Sequence, residues 1–390
     1  MLNPALKERL QSQRCCYRQL ACAAVLTFAC SAIAGPSYSK QPFGTNKWDE
    51  AVDLYTLRNS HGHSLQVLTY GAIIYQVNVP DRSGNVTNVT ANRQSQADYE
   101  SRSGAFGSVV GRFANRIARG QFVIDGTTYH LATNNGPNHI HGGPRGFDKR
   151  VWKAEPMKGK DFAALKLTYI SADGEEGYPG KLNCELVYTW TDANELKMHY
   201  TATTDKPTVL NLCNHAYWNL AGAYSGTVLD QSLEVNASGV LDVDATLIPT
   251  GKINPVAGTP FDFKKSRKIG ERISEIKAPQ FNGGYDHCFV IDRKASGTLE
   301  FCARLTDATS GRVMEVWTTE PGVQVYSANF PGGTISGPPG FTYPKHAGVC
   351  LETQHFPDSP NHPEFPSTLL VPGQVFRSTT VHKFSVRSNH

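Results

Sequence analysis

Residues 181–202 read KLNCELVYTWTDANELKMHYTA. Leu182, Cys184, Leu186, Tyr188 and Trp190 alternate with mostly polar neighbours, and Leu196, Met198, Tyr200 and Ala202 do the same after Asp192-Ala193-Asn194. A period of two with a turn between the halves predicts a hairpin buried on one face. The same grammar recurs outward from it. QFVIDGTTYHL places Asp125-Gly126 between two short strands, a two-residue hairpin signal. RVMEVWTTEPGVQVYSANF repeats the strand–turn–strand pattern around Glu320-Pro321-Gly322. Helical periodicity is confined to short pieces such as SRKIGERISEIK. With 35 Gly and 23 Pro to supply turns, and no linker after about residue 45, the 390 residues predict one large all-β domain, an antiparallel sandwich.

Charge narrows the partner. The net charge is +4, of which Lys7, Arg9, Arg14 and Arg18 against Glu8 contribute +3. The rest of the chain is nearly neutral, so no nucleic-acid footprint is expected, and a neutral small molecule fits better than a polyanion. Arg14 and Arg18 precede a run without charge from Leu20 to Gly35 that ends in Ala32-Ile33-Ala34. This predicts a signal peptide over 1–34, hence a secreted or periplasmic protein with no membrane segment in its mature form, the alternative being a cytoplasmic one. Cys184, Cys213, Cys288, Cys302 and Cys350 remain after it. Five is odd and they sit in apolar strands, so they read as buried core thiols. Sequons occur at Asn85, Asn88 and Asn236.

Polar segments rich in Gly and Asn are the candidates for chemistry. They are GRFANRIARG (111–120), with Arg112, Arg116 and Arg119; NNGPNHIHGG (134–143); DGEEGYPG (173–180); LNLCNHAYWNLAG (210–222), with His215 between asparagines; NGGYDHCFV (282–290), with Asp286; and GVCLETQHFPDSPN (348–361), with Glu352 ending an apolar strand. A carboxylate placed there is costly to bury without partners and suits a tuned acid or base. His139-x-His141 and His61-x-His63 lack an acidic or cysteine ligand at fixed short spacing, so no metal site and no cofactor are predicted.

Together and in this order, with RGFDKRVW after the second, these segments resemble the aldose 1-epimerase (galactose mutarotase) family over residues 45–386. The resemblance implies the β-supersandwich of galactose mutarotases and interconversion of α- and β-anomers of free aldoses such as glucose and galactose. It implies His215 as general acid, Glu352 as general base and His141 as an assisting histidine. It implies Asn115, Arg116, Asp286 and Gln324 as sugar contacts, in a monomer or homodimer. Such chemistry asks for an ionised Glu352 and a protonated His215 near neutral pH. Trp218, Tyr217 or Phe330 is available to stack on the sugar, core packing being the expectation for Tyr217. Asn211, Asn214 and Asn219 are expected to orient His215 or fix its backbone. The competing readings are a hexose-6-phosphate epimerase, which would need a cationic pocket, a non-catalytic carbohydrate-binding protein, and, remotely, a polysaccharide-processing enzyme on the same fold.

Overall fold

A computed structural model of the chain describes residues 35–101, 104–330 and 334–387. The predicted leader lies outside them. The hairpin forms as its alternation requires. Strands Leu182–Thr191 and Glu195–Thr204 pair from Leu182 opposite Thr204 to Trp190 opposite Leu196, with every apolar residue of the alternation buried. It lies inside the largest sheet among the described residues, nine strands in antiparallel pairing, with Phe376–Val386 next to the hairpin and Arg312–Thr318 beyond it.

A five-stranded sheet carries the last two polar segments, with Asp286 and Glu352. Its order is Pro249–Pro255, Ala237–Val243, Asp286–Ile291, Gly322–Tyr326 and Cys350–Gln354. Leu186, Tyr188, Met314 and Val316 of the large sheet and Phe289, Val323, Val325 and Leu351 of the smaller one belong to one continuous buried core. A further five-stranded sheet spans Ser37 to Asn88, its first strand, Ser37–Thr45, lying ahead of residue 45. The chain is thus the large antiparallel β-supersandwich expected from the sequence.

Two local readings are corrected. The Glu320-Pro321-Gly322 turn does not close a hairpin. Thr319 still donates to the Thr379 carbonyl in the nine-stranded sheet, whereas the Pro321 carbonyl accepts from Ile291 in the five-stranded one. The turn carries the chain from one layer to the other. SRKIGERISEIK forms only the short strand Arg267–Lys268 and a single 3-10 turn, Ile273–Glu275. Ile269 and Gly270 give their N–H groups to the Gln231 and Leu229 carbonyls, which leaves no helical ladder to propagate. Asp125-Gly126 does turn a hairpin, Gln121–Ile124 against Thr127–His130.

Candidate active site

Three adjacent strands set out the acidic side of a cavity of about 610 Å³. Glu352 lies opposite Gln324, and Tyr326 lies between Cys350 and Asp286 in the pairing. Side chains two apart on a strand share a face, so Asp286, Gln324, Tyr326, Cys350 and Glu352 point the same way. Glu352, Asp286 and Tyr326 line the cavity.

His215 approaches from the other side. It follows the short strand Cys213–Asn214, which pairs with Val109–Val110. Its N–H donates to the Ser108 carbonyl at 2.9 Å, and its own carbonyl accepts from Gly107 at 3.0 Å. The flanking asparagines fix this irregular backbone. Asn214 donates to the Gly107 carbonyl at 2.6 Å, Asn211 bridges to Ala114 and His355, and Asn219 donates to the Gly226 and Ala347 carbonyls. The buried imidazole Nε2 stands 3.6 Å from Glu352 Oε1.

His141 and Asn115 are locked to each other. Asn115 N–H donates to His141 Nδ1 at 3.2 Å, and the Asn115 carbonyl accepts from the His141 N–H at 3.0 Å. Both residues have positive φ, 62° and 53°. The next residue, Gly142, has no alternative, because a Cβ there would sit 1.8 Å from the Gly111 carbonyl oxygen. The His141 ring lies edge-on to His215, centroids 5.3 Å apart. Arg116, also buried, donates through Nε to Asn135 at 3.0 Å and faces Asp286 at 4.0 Å.

Most sequence-predicted residues therefore converge: His215, Glu352, His141, Asn115, Arg116 and Asp286 all line the cavity. Gln324 does not. It is buried beside Asp286 and donates to it through Nε2 at 2.6 Å, while its Oε1 has no hydrogen-bond partner. Tyr217 lines the cavity, backed by Phe106 at 4.6 Å, against the expectation of plain core packing. Trp218 is buried edge-on against His382 in the core, and Phe330 belongs to the packing behind Tyr217, so neither offers a face to a sugar. Arg112 is no solvated cation: buried, it donates to the Pro179, Gly180 and Ala172 carbonyls and ties down the 173–180 loop, which does not reach the cavity. His139 points away, bonded to the Ala132 carbonyl and the Tyr178 hydroxyl. Asn134 and Asn135 at the head of the second segment, Lys149 in RGFDKRVW and Tyr326 also line the cavity, though the sequence does not single them out individually. Tyr326 lies outside the polar segments, and its signal is its place two residues after Gln324.

Burial reverses the expected charge states. The Glu352 carboxyl is pushed up to about 8, by burial first and Asp286 second, with Cys213 and Arg116 opposing. Burial pushes His215 down to about 4, opposed by a bond from the ring to its own carbonyl. Burial also holds His141 well below its usual range, helped by His215 and Arg116. A water-poor floor disfavours both members of an ion pair, so the free site holds a neutral carboxylic acid beside a neutral imidazole. One proton is shared by the pair over the interval between those limits.

His141, His215 and Glu352 each bring one ligand atom within 4.8 Å of the others, close to a spacing that a cation could use. The chemistry of His141 opposes it. Its Nδ1 accepts from a backbone N–H, so the neutral ring carries its proton on Nε2 and offers the cavity a donor, not a lone pair.

The aldose 1-epimerase family model matches residues 53–383. The chain is 44% identical over 322 residues to galactose mutarotase from Sus scrofa, covering 83% of this chain and 91% of the relative. It is 36% identical over 333 residues to aldose 1-epimerase from Escherichia coli K12, covering 85% and 94%. Among solved structures, galactose 1-epimerase from Lactobacillus acidophilus superposes with a TM-score of 0.78 at 28% identity, covering 90% of this chain and 99% of that one. An aldose epimerase homologue from C. elegans gives 0.77 at 28% identity, covering 91% and 100%. By sequence match along nearly all of its β domain, this chain belongs to the aldose 1-epimerase family.

Proposed function

We propose that this aldose 1-epimerase works through Glu352 as the base on the anomeric hydroxyl and His215 as the acid on the ring oxygen. The activity is interconversion of α- and β-anomers of aldoses. The observation that carries the residue assignment is the buried Nε2–Oε1 separation of 3.6 Å at the floor of a polar cavity. Once sugar is bound, the pair's one proton passes from Glu352 Oε1 across the 3.6 Å gap to His215 Nε2. The anomeric hydroxyl proton then moves to the Glu352 carboxylate and the Nε2 proton to the ring oxygen as the C1–O5 bond breaks. The aldehyde then turns about C1–C2 and recloses on its other face. Opening converts a charged pair into a neutral one. Burial disfavours the charges, so the site favours the opened state over the closed ring, which is differential binding. Arg116 and Asp286 suit recognition of hydroxyls by charge-assisted hydrogen bonds.

Lining acidic residues Glu100, Asp148 and Asp286, without counting the neutral Glu352, outnumber the lining cations Arg116 and Lys149, and each cation already faces a carboxylate. That supports a neutral sugar over a sugar phosphate. Polarimetry on freshly dissolved α-D-glucose and α-D-galactose, with glucose 6-phosphate as comparison, tests the reading. Acceleration of the free sugars is expected, and preference for the phosphate would overturn it.

We also propose export of the chain, supported by the uncharged run from Leu20 to Gly35 behind Arg14 and Arg18. Mass spectrometry of the protein from its native compartment should find a start near Gly35. An intact Met1 start in the cytoplasm would contradict export.

A further inference from the structure

Two buried thiols border the acid–base pair. Cys213 Sγ lies 3.5 Å from Glu352 Oε2, and Cys350 Sγ lies 3.5 Å from His215 Nδ1. The arrangement is crossed: each cysteine sits two residues before one member of the pair and touches the other. The atoms it touches are the ones turned away from the 3.6 Å Nε2–Oε1 gap.

We propose that Cys213 and Cys350 are positioning residues that occupy the outer ends of the pair, so that only Glu352 Oε1 and His215 Nε2 exchange protons with the sugar. This rests on the acid–base reading of His215 and Glu352. A histidine that gives and regains a proton at Nε2 must keep its other proton on Nδ1 throughout. The acceptors within reach of that Nδ1–H are the Cys350 sulfur and the residue's own carbonyl. On the other side, the Cys213 S–H donates to Oε2 and leaves Oε1 open. Sulfur is a weak donor and a weak acceptor, so it fixes orientation without anchoring either charge. Both thiols are buried and unpaired. The other groups acting on Glu352 are Asp286 and Arg116. Those packed on the His215 ring are His141, Tyr217 and Tyr326.

The test is the pH profile of kcat/KM for Cys350→Ser, Cys213→Ala and Cys302→Ser, the last a buried thiol outside the cavity. A hydroxyl accepts more strongly than sulfur and stabilises the imidazolium, so Cys350→Ser should move the acid limb up by about 0.5 unit or more. Cys213→Ala removes a donor from the carboxylate and should move the alkaline limb up by a similar amount. Cys302→Ser should superimpose on the unsubstituted enzyme. Folded Cys350→Ser and Cys213→Ala enzymes that both keep the original profile would overturn the proposal. If those variants do not fold, nitrogen NMR of His215 in the unsubstituted enzyme decides. A neutral ring protonated on Nδ1 is expected, and one protonated on Nε2 refutes the assignment. Failure here leaves a normal bell and an inactive Glu352→Gln enzyme. Failure of the acid–base reading instead shows as an active Glu352→Gln enzyme.

Discussion

Two histidine–glutamate pairs meet at one strand, with Glu352 inside Cys350–Gln354 and His355 directly after it, and they behave oppositely. His355 Nδ1 meets Glu320 at 2.6 Å, a direct hydrogen bond. Burial lowers this histidine, but the charge and hydrogen bond of Glu320 outweigh it and the net shift is upward. His215 and Glu352 stand 3.6 Å apart, and there burial wins for both partners. Contact or its absence is what separates a structural pair from a working one. In direct contact the charges compensate each other, and the pair pins the end of the Cys350–Gln354 strand to the turn that begins Gly322–Tyr326. Held apart, the pair stays neutral and available, and a substrate is needed to bring protons in and out.

The largest difference between the two pairs should be in turnover. His215→Asn should lower kcat at least ~10²-fold, the low end for a positioned acid or base, whereas His355→Asn should leave it within about threefold. Equal losses in polarimetric assays of the two variants would erase the distinction.

Stability should show the reverse order, with both pairs depending on pH in the same direction. Glu320→Gln breaks a compensated pair and should cost on the order of 2–3 kcal/mol in chemical denaturation. Glu352→Gln removes a group whose folded pKa is raised from 4.5 to about 8. Such a group contributes stability that is present below pH 4.5 and lost as pH rises to 8. The stability of Glu352→Gln relative to the unsubstituted enzyme should therefore become more favourable by on the order of 3 kcal/mol between pH 5 and pH 8. His355, raised by Glu320, stabilises below its unfolded pKa and loses that contribution as pH rises through its folded one. A difference for Glu352→Gln that stays flat with pH would mean that the carboxyl is not buried as a neutral acid.

Activity should follow the pair's single proton. The profile of kcat/KM is expected to be a bell with limbs near pH 4 and 8, where the pair gains a second proton and loses its only one. A profile flat from 4 to 9 would contradict a shared proton. The smallest effect is at Arg116, whose role is to hold hydroxyls. Arg116→Ala should raise KM at least as much as it lowers kcat, read from initial rates over a range of sugar concentrations.

The parts of this molecule legible in the sequence are those decided by local pattern. The Leu182–Thr204 hairpin follows from alternation alone, and five of the six polar segments identify where the site residues lie. What the sequence conceals depends on parity and distance. Tyr217 and Trp218 are neighbours, yet one lines the cavity and the other lies in the core, and a shift of one residue would exchange them. Gln324 shares the face of Asp286 and bonds to it, a lateral contact that spacing does not carry. The turn at Glu320 looks like a hairpin because crossing between two sheets leaves the same Pro-Gly signature. The charge states of His215 and Glu352 differ from the sequence expectation for a related reason: chemistry names the protons required, whereas burial sets where they rest.

The assignment of Glu352 as the base is tested by polarimetry at pH 7 on freshly dissolved α-D-glucose with the unsubstituted enzyme and with Glu352→Gln, subtracting the spontaneous and buffer-catalysed reaction and confirming equal far-ultraviolet circular dichroism. Acceleration by the first is expected, with at least a ~10²-fold lower kcat for the second. A folded Glu352→Gln protein with near-normal turnover would contradict the assignment, because the base would then be some other group.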